Sequence, residues 1–178
     1  MSIEPLSLEV IDSKDLSGQE YSEILELCSR AYRQDMKPFL DTFGGAIHIL
    51  GRYRGLLVAH ALWITRWLQC ADLPTLRTAY VEAVATDEKY RNRGFASVVM
   101  ERLAKEIRQF DLGALCTGSP DFYARLGWQL WQGPLFIRTK DGLIPTPNEQ
   151  VMVMFLPNTP VLNLEASLSA EWREGELW

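Results

Sequence analysis

Cysteine and long apolar runs are both scarce in this 178-residue sequence, and each shortage excludes a class of protein. Three cysteines (Cys28, Cys70 and Cys116) are too few and too scattered for a disulfide framework or a zinc site, so we expect a reduced, cytoplasmic protein without a metal. No stretch approaches the ~20 consecutive apolar residues of a membrane span. The first ten residues lack a basic start and a long apolar core, so we expect no signal peptide.

Basic residues are also in the minority, since 18 lysines and arginines face 23 aspartates and glutamates, for a net charge of −5. An acidic balance argues against a nucleic-acid partner and leaves room for a cationic small-molecule substrate. The apolar fraction of 47% and the charged fraction of 23% are ordinary for a soluble globular protein. At this length we expect one domain, residues 1–178, with a single core.

Hydrophobic periodicity predicts strands and helices along most of the chain. The predicted strands are 6–11, 46–53, 56–68, 77–86, 114–117, 128–137 and 151–156. The predicted helices are 19–32, 95–110 and 120–126. Residues 33–45, interrupted by Pro38, form either a short second helix or a lid over a site, and residues 158–178 show no clear period. Antiparallel runs with a helical crossover between them indicate a mixed α+β sheet.

Residues 79–100, A-Y-V-E-A-V-A-T-D-E-K-Y-R-N-R-G-F-A-S-V-V-M, predict a strand, a basic loop and a helix. The loop carries Arg91 and Arg93 and reaches Gly94, which has no Cβ to keep a ligand away from the backbone. The first N–H groups of the helix have no intrahelical partner and attract anions. A phosphate site is one interpretation, and a solvated connection, which is commoner for such loops, is the other.

A second segment, P-D-F-Y-A-R-L-G-W (120–128), places Tyr123 on a short helix that ends at Gly127. Taken alone, this tyrosine is best interpreted as a core residue packed beside Phe122 and Trp128. The two segments in this order and spacing resemble the GCN5-related N-acetyltransferase (GNAT) superfamily. The matching positions are Arg91, Gly94 and Ala96 in the loop, and Phe122, Tyr123, Gly127 and Trp128 about thirty residues later.

The resemblance implies a fold, a cofactor and an activity. The fold would be α+β, with a mixed, mostly antiparallel central sheet that is splayed at the acetyl-CoA site and flanked by helices. Acetyl-CoA would be the cofactor of an N-acetyltransferase, with its pyrophosphate on the loop and its pantetheine beside the preceding strand. The implied cofactor-binding residues are Val84, Ala85, Thr86, Arg91, Asn92, Arg93, Gly94, Phe95 and Ala96.

Over nearly its whole length, the sequence is most similar to the aminoglycoside 2′-N-acetyltransferases. The similarity is carried by G-G-A-I-H, V-A-H, Y-V-E-A-V-A, L-G-A-L and T-P-N-E-Q, and above all by the terminus E-W-R-E-G-E-L-W (171–178). It implies a homodimer and an acidic site for a polyamine antibiotic. The implied substrate-binding residues are Asp35, Asp41, Glu82, Ala83, Glu149, Glu176 and Trp178. Glu149 and Glu176 stand where relatives have shorter acids, which would retune the site.

The resemblance also implies roles in catalysis. Glu82 interrupts an apolar strand and would remove a proton from the substrate amine through a water, with the terminal carboxylate of Trp178 as a second candidate base. The backbone N–H of Val84 would stabilise developing charge on the thioester oxygen, and Tyr123 would protonate the thiolate that leaves. Cys116 is a weak rival nucleophile, because no histidine follows it in the chain. Two alternative functions stay open: acetylation of another polyamine or small-molecule amine, and non-catalytic acetyl-CoA binding.

Overall fold

The computed structural model describes residues 5–178. The chain divides into two compact units, of which the first comprises Met1–Ile64 and Val81–Lys105, and the second Thr65–Tyr80 and Glu106–Trp178. The prediction of a single domain over residues 1–178 stays a prediction. Part of the segment inspected for a signal peptide, residues 1–4, lies outside the described residues.

The first half of the chain alternates helices with antiparallel strands. Its strands follow from alternating or continuous apolar runs, and its helices from the 3.6-residue period. The elements are β1 (Ser7–Asp12), α1 (Gly18–Tyr32), α2 (Lys37–Leu40), β2 (Ile47–Tyr53), β3 (Leu56–Cys70), β4 (Leu76–Thr86) and α3 (Phe95–Glu106). The long strands β3 and β4 each contribute residues to both units.

Within the first unit, the sheet order is β1-β2-β3-β4. β2 pairs antiparallel with β1 and with β3, and the β2–β3 turn is made by Arg54 (φ 52°) and Gly55 (φ 79°). Two successive left-handed residues match the right-handed twist of a hairpin, as in a type I′ turn. The predicted hairpin is therefore confirmed.

Helix α1 has strong signals at both of its ends. Ser17 and Glu20 form a capping box at its start, where each side chain accepts a backbone N–H of the other residue. The helix ends at Arg33, which adopts a left-handed conformation (φ 56°), and its buried face carries Ile24, Leu27 and Cys28. In the segment 33–45, Pro38 occupies the first turn of the short helix α2, where a missing N–H is tolerated. The short second helix is thus what the structure contains.

Both of the chain's histidines lie together in the core of the first unit. His48 on β2 is 5% exposed and His60 on β3 is fully buried. His48 Nδ1 is 3.0 Å from His60 Nε2, and His60 Nδ1 is 2.8 Å from the carbonyl oxygen of Ala83. Burial lowers the pKa of His48 to about 4 and that of His60 to about 3, so both rings are neutral near pH 7.

We expect the protein to lose stability as the pH falls from about 6.5 toward 4. In that range the unfolded chain protonates both histidines while the folded chain keeps them neutral, so unfolding takes up protons. Each histidine should lower the free energy of unfolding by up to about 1.4 kcal/mol per pH unit. Urea denaturation between pH 7 and pH 4.5 measures this slope, and His48→Gln should roughly halve it. A free energy of unfolding that stays constant over this range would contradict the expectation.

The second unit contains a mixed sheet. Its elements besides parts of β3 and β4 are β5 (Leu112–Cys116), α4 (Pro120–Ala124), β6 (Gln129–Leu130), β7 (Leu135–Thr139), β8 (Gly142–Pro145), β9 (Val151–Phe155) and β10 (Leu168–Glu171). The strand order is β6-β9-β5-β4-β3-β10-β7-β8. The β4–β5 and β7–β10 pairs are parallel, whereas β5–β9, β6–β9, β7–β8 and β3–β10 are antiparallel. The predicted mixed α+β sheet is confirmed.

Several predicted elements differ in extent from those in the structure. The strand 128–137 is two strands, because the N–H groups of Gln132 and Gly133 bond to the Leu164 carbonyl and a Cβ at position 133 would collide with the backbone of Ala166. The tail 158–178, which shows no clear period, contains β10, and residues 138–150, for which no element was predicted, contain β8. Helix α3 ends at Glu106 rather than 110, since a turn follows in which Phe110 N–H bonds to Ile107.

Among residues 5–178, we find no helix with the length and apolar character needed to cross a membrane.

Candidate active site

The backbone of β4 turns sharply at Ala83. This buried residue has φ 50°, a left-handed value that is unfavourable for a residue with a side chain. Its neighbours Glu82 and Val84 are half-buried, and Ala85 is buried. A strained residue of this kind persists only where its surroundings hold it, and such residues concentrate at functional sites.

Side chains hold two successive carbonyls at this turn. His60 bonds to the Ala83 carbonyl at 2.8 Å, and the hydroxyl of Tyr32, the last residue of α1, donates to the Val84 carbonyl at 3.0 Å. Sequence analysis singled out Glu82 and Val84 but missed Tyr32 and His60. His60 nevertheless gave usable signals, since it interrupts the apolar run at the start of β3 and ends the V-A-H segment.

The basic loop lies between β4 and α3 in the first unit. Arg91, Asn92, Arg93 and Gly94 are all exposed, and α3 begins directly after them. Asn92 (φ 63°) and Gly94 (φ 80°) are both left-handed, a loop conformation in which successive backbone N–H groups line a concave, anion-attracting surface. A Cβ built on Gly94 meets no atom within 4 Å, so the approach to this backbone is open. The loop therefore suits a phosphate.

An aromatic cluster supports the loop. The Arg93 guanidinium lies 5.3 Å from the ring centroid of Tyr90 and 5.9 Å from that of Tyr53, and both rings also lie near Phe95. Cation–π contacts of this kind position an exposed arginine without neutralising it. Arg93 thus keeps its charge for an anion.

Two of the predicted substrate acids, Asp35 and Asp41, flank α2. Asp35 accepts the backbone N–H of Lys37 at 3.0 Å. Asp41 accepts the Tyr21 hydroxyl at 2.6 Å and Lys37 Nζ at 2.5 Å, and the bond from Lys37 is the main cause of a lowered pKa for its carboxyl group. Asp41 also lines a cavity of about 350 Å³ together with Tyr21 and His48. Its carboxylate is therefore already engaged within the first unit.

In the second unit, Tyr123 is packed among aromatic rings. It is 9% exposed and makes edge-on contacts with Phe122 and Trp128 at centroid distances of 4.9 and 6.3 Å. Burial raises the pKa of Tyr123 to about 12, so the hydroxyl stays protonated at neutral pH. Ser119 stands at the N-cap of α4, although its side chain makes no capping bond.

Glu149 is exposed and contacts a cysteine. Its Oε2 lies 3.3 Å from Cys116 Sγ, at the end of β5. A thiol next to a carboxylate donates a weak hydrogen bond and is not activated as a thiolate, because the negative charge disfavours ionisation. This geometry speaks against Cys116 as a nucleophile.

The C-terminus is held in place by a buried arginine. Arg66 is 1% exposed, lies 4.7 Å from the Tyr80 ring centroid, and donates to the Leu177 carbonyl at 2.8 Å and the Glu171 carbonyl at 2.7 Å. Trp178 is buried, and its indole N–H donates to Thr146 Oγ1 at 2.7 Å. Sequence analysis missed Arg66, although a lone charge within an apolar strand was a usable signal. The last residue is therefore fixed, while Glu176 is exposed.

The comparisons with known proteins agree on one family. A family model described as an acetyltransferase (GNAT) domain matches residues 12–131. The chain belongs to the GNAT acetyltransferase family. It is 34% identical over 141 residues to an aminoglycoside 2′-N-acetyltransferase of Mycolicibacterium fortuitum, covering 75% of this chain and 72% of that one.

Two solved structures with a similar fold cover most of this chain. The GNAT family N-acetyltransferase YhbS of Escherichia coli, solved in complex with CoA, has a TM-score of 0.66 at 16% identity and covers 98% of this chain and 94% of its own. ElaA of Escherichia coli has a TM-score of 0.61 at 17% identity, with coverage of 84% and 99%. These structures confirm the predicted GNAT fold. The family match confirms the predicted activity, an acetyl-CoA-dependent N-acetyltransferase.

We expect Gly94→Ala to weaken acetyl-CoA binding about tenfold, the equivalent of about 1.4 kcal/mol. The left-handed conformation at position 94 costs a residue with a Cβ about 1–2 kcal/mol, so the loop should relax and its amides should turn away from the phosphate. Isothermal titration calorimetry measures the dissociation constant. Gly18→Ala is the matched control, because Gly18 also has open surroundings but an ordinary φ. Equal dissociation constants for Gly94→Ala and the unmodified protein would contradict a phosphate site on this loop.

Proposed function

We propose that this GNAT enzyme acetylates a cationic amino sugar, and specifically the 2′-amine of an aminoglycoside, by direct transfer in a ternary complex. The observation that carries the proposal is the similarity to the aminoglycoside 2′-N-acetyltransferase, together with the acidic balance of the chain. An ammonium-rich substrate needs carboxylates, and the proposed substrate residues are mostly acidic. They are Asp35, Asp41, Glu82, Ala83, Glu149, Glu176 and the carboxylate of Trp178.

Acetyl-CoA supplies the acetyl thioester, and the residues proposed to hold it lie on β4 and the basic loop. The backbone of Val84, Ala85 and Thr86 would hold the pantetheine. The backbone amides of Arg91, Asn92, Arg93 and Gly94 in the loop, and of Phe95 and Ala96 at the start of α3, would hold the pyrophosphate. The open backbone at Gly94 and the exposed charge of Arg93 support this assignment.

Val84 and Glu82 have separate proposed roles. The Val84 N–H donates a hydrogen bond to the thioester oxygen as negative charge develops there, and a fixed donor is most effective because it needs no reorganisation. Glu82 takes a proton from the substrate ammonium through a water, so that the amine becomes a nucleophile. The fixed terminal carboxylate of Trp178 is the second candidate for this base.

Tyr123 is the proposed acid. Burial raises the pKa of Tyr123 to about 12, so its phenol is a weaker acid than an exposed tyrosine with a pKa near 10, and proton transfer to a thiolate is less favourable. The same burial keeps the hydroxyl fully protonated and available as a donor. Tyr123 would therefore stabilise the leaving thiolate by donating a hydrogen bond as negative charge develops on the sulfur, and a proton passed along this bond would be returned to Tyr123 from solvent.

Steady-state acetylation of kanamycin, gentamicin and tobramycin tests the proposed function. We expect turnover with acetyl-CoA, and a product acetylated at the 2′-amine in the mass and NMR spectra. If the enzyme acetylates other polyamines but none of these three antibiotics, the proposed substrate is wrong. The ion pair between Asp41 and Lys37 would favour that outcome, because the Asp41 carboxylate is already engaged. Tight acetyl-CoA binding without turnover of any amine would contradict the proposal that the protein acetylates an amine.

Tyr123→Phe should lower kcat by about 10²-fold while the dissociation constant for acetyl-CoA changes little, since acid catalysis typically contributes 10²–10⁴-fold. Phenylalanine keeps the aromatic packing with Phe122 and Trp128. Phe122→Leu is the matched control, because it disturbs the same cluster but keeps the hydroxyl. Unchanged kcat for Tyr123→Phe would remove Tyr123 from the reaction.

Glu82→Gln should remove the acidic limb of the pH dependence of kcat/KM, because glutamine cannot take the proton at any pH. A profile measured between pH 5 and pH 9 shows this limb. An acidic limb unaltered in the variant would assign the base elsewhere, and a variant shortened by residues 177–178 would then test the terminal carboxylate.

A further inference from the structure

The two histidines form a directed hydrogen-bond chain that ends at the turn of β4. A carbonyl oxygen can only accept, so His60 Nδ1, 2.8 Å from the Ala83 oxygen, must carry a hydrogen. A neutral His60 then has a lone pair on Nε2, which lies 3.0 Å from His48 Nδ1. His48 therefore donates to His60, and His60 donates to Ala83.

A third side chain, that of Cys28, also approaches His60. Cys28 Sγ lies 3.8 Å from His60 Nδ1 and is at most a weak acceptor of the same hydrogen. Cys28 and His60 are both fully buried, so water does not compete for the Ala83 carbonyl. A charge-free, dry hydrogen bond of this kind fixes the orientation of the group it holds.

The peptide between Ala83 and Val84 links this bond to the site. A trans peptide is planar, and its carbonyl and N–H point in opposite directions; the described chain contains no cis peptide. Pinning the Ala83 carbonyl to a buried ring therefore fixes the opposite direction of the Val84 N–H. Tyr32 holds the next carbonyl at 3.0 Å, so side chains fix both ends of the Val84 residue.

We propose that His60, oriented by His48, is a positioning residue that presets and polarises the Val84 N–H for the acetyl oxygen. The proposal rests on the proposed function of Val84 as the oxyanion donor. A donor bond to a peptide carbonyl also strengthens the N–H of the same peptide, because hydrogen bonds polarise one another. His60 thereby offsets the unfavourable left-handed conformation of Ala83 that the donor requires.

A single NMR signal reports the orientation directly. Ala83–Val84 is the only Ala-Val pair in the sequence, so labelling alanine with ¹³C at the carbonyl and valine with ¹⁵N leaves one peak in an HNCO spectrum. Loss of the His60 bond should move the Ala83 carbonyl carbon upfield. His60→Leu removes the donor, whereas His60→Asn places an amide N–H where Nδ1 was and should restore the signal toward its unmodified position.

Kinetics separate positioning from packing. His60→Leu should lower kcat about 10- to 100-fold, below the ~10²–10³ of losing an oxyanion donor outright, with the acetyl-CoA dissociation constant within a few-fold. His60→Asn should recover most of kcat. Leu62→Ala is the control, since it removes apolar volume from the same strand and core without removing a polar group. If Leu62→Ala and His60→Leu lower kcat equally, the role of His60 is structural and the proposal fails.

A second variant tests the proposal if His60→Leu does not fold, and a ligand titration tests Val84 separately. If His60→Leu does not fold, His48→Phe removes the donor to His60 and should move the carbonyl signal and kcat in the same direction by less. An unshifted Ala83 carbonyl in either variant would overturn the proposal.

In the unmodified protein, acetyl-CoA should shift the Val84 amide proton more than CoA does. Equal shifts would refute Val84 as the donor and hence the proposed function, while the carbonyl signal still tests the His60 bond.

Discussion

The hydrogen bond from His60 to the Ala83 carbonyl is the constraint on which the first unit depends. It lies in the dry core, it holds β4 in a left-handed conformation, and it ties β3 to the strand that carries Glu82 and Val84. The same bond fixes both histidine tautomers, while burial is what makes it costly to charge either ring. The geometry of the proposed oxyanion donor therefore depends on a hydrogen bond made in the core of the first unit.

The second unit uses a buried charge in a comparable way. Arg66 gives up water and recovers the loss through two backbone carbonyls and the Tyr80 ring, so a strand in the middle of the chain fixes the last residues. Trp178 is buried as a result, with its indole N–H satisfied by Thr146. The aromatic terminus is thus a packed element of the unit rather than a loose tail.

Sequence predicted the periodic parts of the fold and the local part of the site. The β2–β3 hairpin, α1 and the loop before α3 each follow from nearby residues such as Gly55, Ser17 and Gly94, whose conformational preferences act locally. The break between β6 and β7 was missed because Gly133 packs against Ala166, a contact set by tertiary structure. Ala83 was named only as a substrate residue, since nothing in its neighbours announces a left-handed alanine.

The central claim is that a preset Val84 N–H receives the acetyl oxygen, and a crystal structure of the acetyl-CoA complex tests it most directly. The account predicts the acetyl carbonyl oxygen about 2.7–3.1 Å from the Val84 nitrogen, with the Ala83 carbonyl still bonded to His60. An acetyl oxygen held by other donors, with the Val84 N–H directed elsewhere, would contradict it.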